Sequence, residues 1–232
     1  VAITRTAKST ATSKTSGTTL ALSVAMTAGD LMVVSLAYDD QTLDSVTWNG
    51  QDLTLGDPVL GAGVRTRLAW VVAAASATAN VTATWAAAIV AKAMAVSSYN
   101  CNTGGVVMNE DSNATSTGTG TAASTAALAA IVGGTNSILV GVVGTEGPSG
   151  DTAGTWVTPP TNTQRAGTTG NPANSNVTVS EAYQIAPTAA STPALSKTGM
   201  TSRDWGAALR AFYWAAPVAD VGFPYVGGGY YP

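Results

Sequence analysis

The stretch Val46-Thr47-Trp48-Asn49-Gly50-Gln51-Asp52-Leu53-Thr54-Leu55 decides the fold class. Two segments of strand-like composition flank Asn49-Gly50, and an Asn-Gly pair accepts the two positive φ angles of a type I′ turn. The stretch therefore predicts a β-hairpin. Upstream, residues 18–24 place Leu20, Leu22 and Val24 on one face, and residues 31–38 form a near-continuous apolar run of strand length. Downstream, residues 64–72, 79–85 and 89–99 read as further strands. The last is rich in alanine and could pass for a helix by composition, but an internal echo makes it a strand.

That echo aligns Leu31-Met32-Val33-Val34 with Ile138-Leu139-Val140-Gly141 at an offset of 107, from 31 to 138. The same offset carries Leu20, Leu22 and Val24 onto Ala127, Ala129 and Ile131. Leu68-Ala69-Trp70 matches Glu181-Ala182-Tyr183 at 113, and residues 95–99 match 209–213 at 114. Self-similarity of this kind marks a duplicated unit. The expectation is one β-sandwich, or a closely packed pair, over residues 1–214, with approximate halves 16–100 and 123–214. Residues 100–125 form the joint, where the Thr/Ser/Gly run 115–121 reads as loop or edge strand.

Composition narrows the function classes. Only 10% of the 232 residues are charged, against roughly 25% in an ordinary soluble domain. A net charge of −3 argues against nucleic acid as a partner. The absence of His removes His-based triads and His-containing zinc sites. The single Cys101 cannot make an internal disulfide and reads as a small buried residue. The longest apolar stretch, 85–96, is broken by Lys92 and falls short of the ~20 residues of a membrane-spanning helix, so no membrane partner is expected. The first residues lack the pattern of an uncleaved secretory signal, which leaves cytosolic synthesis with a trimmed initiator Met, or a signal removed upstream.

After Trp214 the chain changes character. Residues 215–232 carry three prolines and the triplet Gly227-Gly228-Gly229, which oppose a regular helix. Phe223, Tyr225, Tyr230 and Tyr231 supply apolar area with polar tips, the chemistry of an extended arm that docks on a partner.

No constellation singles out a catalytic site. The three glutamates, Glu110, Glu146 and Glu181, show no spacing that separates an acid from a nucleophile. Asp39, Asp40 and Asp44 are weak calcium candidates because they follow a strand, but they lack the spacing of a calcium loop. No catalytic residue, resident metal or cofactor is expected. Trp48, at the hairpin tip, and Trp156 are the candidates for an exposed sugar-stacking face, while Trp70, Trp85 and Trp205 lie inside apolar segments.

Four segments together carry a resemblance: Gly29-Asp30-Leu31-Met32-Val33-Val34, the hairpin 46–54, Arg65-Thr66-Arg67-Leu68-Ala69-Trp70 and Ala79-Asn80-Val81-Thr82-Ala83-Thr84-Trp85. They resemble a β-sandwich module of bacteriophage virion structural proteins and bacterial surface proteins. Residues 202–209 look like its closing strand. The resemblance covers most of 16–214 and implies an all-β, antiparallel sandwich of jelly-roll or lectin-like type. The arm lies outside the shared pattern.

The expected function is non-enzymatic: a structural protein of a virion, a capsid decoration or other exterior component, attached through its arm to capsid proteins or neighbouring copies as a homo-oligomer. The alternative is a secreted or cell-surface carbohydrate-binding or adhesive module, with a glycan on the tryptophan face. A polysaccharide-cleaving enzyme would need two carboxylates facing one cleft.

Overall fold

A computed structural model describes residues 3–100, 107–170 and 176–215. Among them there are sixteen strands and no helix. In the first part of the chain these are β1 (Thr4–Ser13), β2 (Gly17–Met26), β3 (Leu31–Tyr38), β4 (Leu43–Trp48), β5 (Gln51–Asp52), β6 (Thr54–Leu55), β7 (Val59–Leu60), β8 (Arg65–Val72), β9 (Ala77–Ile89) and β10 (Lys92–Asn100). The rest are β11 (Val107–Ser124), β12 (Ser137–Glu146), β13 (Ala153–Thr158), β14 (Thr161–Gly167), β15 (Val177–Ile185) and β16 (Ser196–Ala215). Every strand pair is antiparallel, as the fold class expected.

The hairpin is present. Asn49 and Gly50 have φ of 48° and 75°, and Trp48 pairs with Gln51 across the turn. The second arm leaves its partner after Asp52: Leu53 N still donates to Val46 O, but β6 joins a different sheet beside β8. A ten-residue motif thus spans two layers.

The strands form three sheets. Sheet one has the order β1-β10-β3-β8-β6, with β7 also on β8; sheet two is β2-β9-β4-β5; sheet three is β11-β16-β12-β15-β14, with β13 also on β16. Strand by strand, sheets one and three follow one plan: first strand at the edge, last strand beside it, then the central pair. The echo is therefore visible in topology, with three adjustments. Tyr99 pairs with Leu31 and Phe212 with Ile138, so β10 maps onto β16 at an offset of 113, from 99 to 212, rather than 114. A one-residue slip exchanges the faces of a strand, and the corrected offset sends both aromatic rings into the same core. Of Ala127, Ala129 and Ile131, only Ile131 is buried, and Leu128 is the other inward residue of that segment. Finally, β1 pairs with β10 and β11 with β16, so each strand set begins before residues 16 and 123. The Thr/Ser/Gly run is part of β11, an 18-residue edge strand.

Sheet one is covered on both faces. Leu31, Val33 and Ala37 face sheet three, where they meet Ile138, Val140, Val142, Val177, Val179 and Phe212. Met32, Val34, Leu36 and Tyr38 face sheet two and its Val46, Trp48, Val81 and Trp85. That is why β3 reads as an unbroken apolar run: both faces of its two-residue period are interior. The first eight residues of β10 and of β12 are buried throughout for the same reason. The far face of sheet three is covered by Leu128, Ile131, Trp156, Leu195 and Met200. Segments 125–131 and 190–195 are tied there by Leu128 N to Pro193 O, Ile131 N to Ser191 O and Ala190 N to Ile131 O. Burial of this continuous apolar area is the main stabilising term.

Candidate functional site

The structure places the expected site residues as follows. Phe223, Tyr225, Tyr230 and Tyr231 lie outside the described residues, as does Cys101. Trp48 is fully buried, and its Nε1 donates to Val24 O at 3.2 Å. Trp156 is buried against the far face of sheet three. Neither indole offers a face to a sugar: a hairpin tip in sequence is an inward position here because the hairpin lies over the core. Trp70, Trp85 and Trp205 are interior as expected.

The three aspartates do not converge. Asp39 Oδ2 accepts from Ala91 N at 2.8 Å, and its pKa is raised by burial against the lowering effect of backbone hydrogen bonds. Asp40 pairs with Arg65, and Asp44 is exposed. Among the described residues no group of three or more acidic or Cys side chains is arranged to hold a metal. The glutamates are equally dispersed: Glu110 lies in β11, Glu146 ends β12 and Glu181 is fully buried in β15.

Sequence reasoning passed over the polar groups of the interior. Glu181 Oε2 accepts from Ser35 Oγ at 2.5 Å and its Oε1 accepts from Ser97 Oγ, so a carboxylate of sheet three receives both hydroxyls from sheet one. Arg5 Nη2 and Gln164 Nε2 donate to the same Ser97 Oγ at 3.0 and 3.2 Å. Arg210 makes a second cross-connection. Its guanidinium lies 4.5 Å from the centre of the Trp70 ring and pairs with Glu110, with Asp57 at 3.8 Å.

Two buried lysines differ sharply. Lys92 Nζ donates to the carbonyls of Thr15, Gly17 and Ile89 at 2.9, 3.0 and 2.8 Å, which uses all three ammonium hydrogens. Lys197, on β16, is only 2% exposed, and its ammonium makes no hydrogen bond or ion pair among the described residues. Its ammonium sits 5.0 Å from the centre of the Trp156 ring. Burial, followed by the charge of Arg165, lowers its pKa to about 7. Lys197 lines a recess with Arg165, Arg203, Asp151, Ser180 and Thr201 that admits about one water-sized guest. Arg203 Nε donates to Asp151 Oδ2 at 2.7 Å, and Arg165 Nη2 to the Asp151 carbonyl at 2.9 Å. A lone Lys in a Thr/Ser-rich strand gives no sequence signal for this; only the strand pairing brings it under Trp156 and beside Arg165.

No family model, curated protein or solved structure matches the chain.

Proposed function

We propose that this protein is a non-enzymatic structural component of a virion, a capsid decoration or other exterior protein of a bacteriophage. The observation that carries the reading is the strand order. In the first half, β1-β10-β3-β8 faces β2-β9-β4-β5. We infer that this is a jelly roll, an eight-strand double-sheet design used in viral capsid and lectin domains. In the second half β11-β16-β12-β15 repeats the first sheet, and segments 125–131, 190–195 and β13 stand where the second sheet would be. The double sheet of the first half and the single sheet of the second, stacked through a shared apolar core, make a stiff body suited to standing on a particle. Residues 216–232 then attach it to capsid proteins or to neighbouring copies, with Phe223, Tyr225, Tyr230 and Tyr231 as anchors.

Light scattering after size-exclusion chromatography tests this on the full chain and on a chain ending at Ala215, the last residue of β16. A defined oligomer, or binding to capsids, that is lost on truncation is expected. Assembly unchanged by truncation overturns the arm. The lectin reading shares the same strand order, but the burial of Trp48 and Trp156 removes its aromatic face. Sugar-specific binding on a glycan array would favour it over the virion reading.

A further inference from the structure

The recess beside Lys197 has the makings of a binding site. Three cationic side chains, Lys197, Arg165 and Arg203, share its lining with one carboxylate, Asp151. That carboxylate is engaged by Arg203 and also lies in the field of Arg165, whose Nη1 and Nη2 donate to Ser149 O and Asp151 O at 2.5 and 2.9 Å, so the lining keeps a net positive charge. Glu146 also faces Arg203, outside the recess. Thr201 Oγ accepts from Thr152 N at 2.8 Å, which leaves its hydroxyl hydrogen free to donate. Ser180 is buried at the same wall, and its hydroxyl makes no hydrogen bond among the described residues. Lys92 shows what this fold does with a buried ammonium when no guest is intended: it surrounds it with three carbonyls. Around Lys197 the protein supplies two guanidiniums and an aromatic face instead, and no carbonyl or carboxylate is hydrogen-bonded to its ammonium.

We propose that this recess binds a monatomic anion of the halide class, held by Lys197 and the two guanidiniums. Three cationic side chains against one carboxylate make the lining complementary to an anion, and the burial of Lys197 strengthens its share of the attraction. The small size of the recess favours a monatomic guest over phosphate, sulfate or carboxylates. The anion fastens β14 to the first part of β16, which carry Arg165 and Lys197 with Arg203.

The test is thermal unfolding of the full chain at about pH 6, with sodium chloride or bromide replacing sodium isethionate at constant ionic strength. Isethionate is too large for the recess. A saturable rise in Tm of about 4 °C at tenfold excess over Kd is expected, shrinking at about pH 9, where Lys197 is neutral. Lys197→Met, which retains bulk without charge, should abolish the halide response. Crystals soaked in bromide should show anomalous scattering within hydrogen-bond reach of Lys197 Nζ. An equal response to halide and isethionate, an undiminished response in Lys197→Met, or a recess holding only water in the bromide-soaked crystals overturns the site.

Discussion

Lys92 and Lys197 have similar burial and opposite surroundings, so the same substitution should act on them in opposite directions. Lys92→Met takes the donor from three carbonyls, of which that of Ile89 is buried, and should cost about 1–3 kcal/mol in urea unfolding. Lys197→Met removes a buried charge that has no acceptor, and in halide-free buffer at about pH 6 it should be neutral or stabilising. The pKa of Lys197 sets the pH dependence. It is about 7 in the folded chain against the ordinary lysine value of 10.5, so between these values the unfolded chain holds a proton that the folded chain has released. Stability should therefore rise with pH from about 7 upward, by up to about 1.4 kcal/mol per unit. The slope should fall in Lys197→Met to what Lys92, whose pKa burial also lowers, contributes below 10.5. Tyr38 and Tyr99 act oppositely above their ordinary value of 10.0, because burial raises both, so the rise is best read below about pH 9.5.

At the scale of the element, the contact between sheets one and three depends on two glycines. A Cβ on Gly144 of β12 would overlap Thr66 Oγ1 and lie 3.0 Å from Ala37 Cβ; one on Gly206 of β16 would lie 2.9 Å from the same hydroxyl oxygen. Gly144→Ala should therefore cost about 1–3 kcal/mol by overpacking, measured as a lower urea midpoint with an unchanged m-value. Neither glycine shows its role in sequence, since each sits in an otherwise ordinary strand. The hairpin is the opposite case. Its Asn-Gly turn is a local property with local consequences, and β4, β5 and the turn between them follow from ten residues. Where the arm crosses at Leu53 to another sheet, local chemistry no longer decides, because β8 must already be in place to receive it.

At the scale of the molecule, the two halves share one core and two polar pins, the Glu181 cluster and Arg210. Glu181→Ala removes the acceptor for two buried hydroxyls from the other half and should cost about 3 kcal/mol. A single calorimetric transition, shifted down but not split, is expected, because the apolar contact between the sheets persists. By itself the sequence determined the all-β class, the antiparallel hairpin, most strand positions and the repetition of strand order. Each rests on short-range pattern: a two-residue period, a turn that needs positive φ, and apolar runs long enough to be covered on both faces. Only the tertiary structure decided which way the indoles face, which offset relates β10 to β16, and which lysine is left without an acceptor. Those depend on register and on what lies across the sheet, and a partner some seventy to a hundred and fifty residues away leaves no mark on the local pattern.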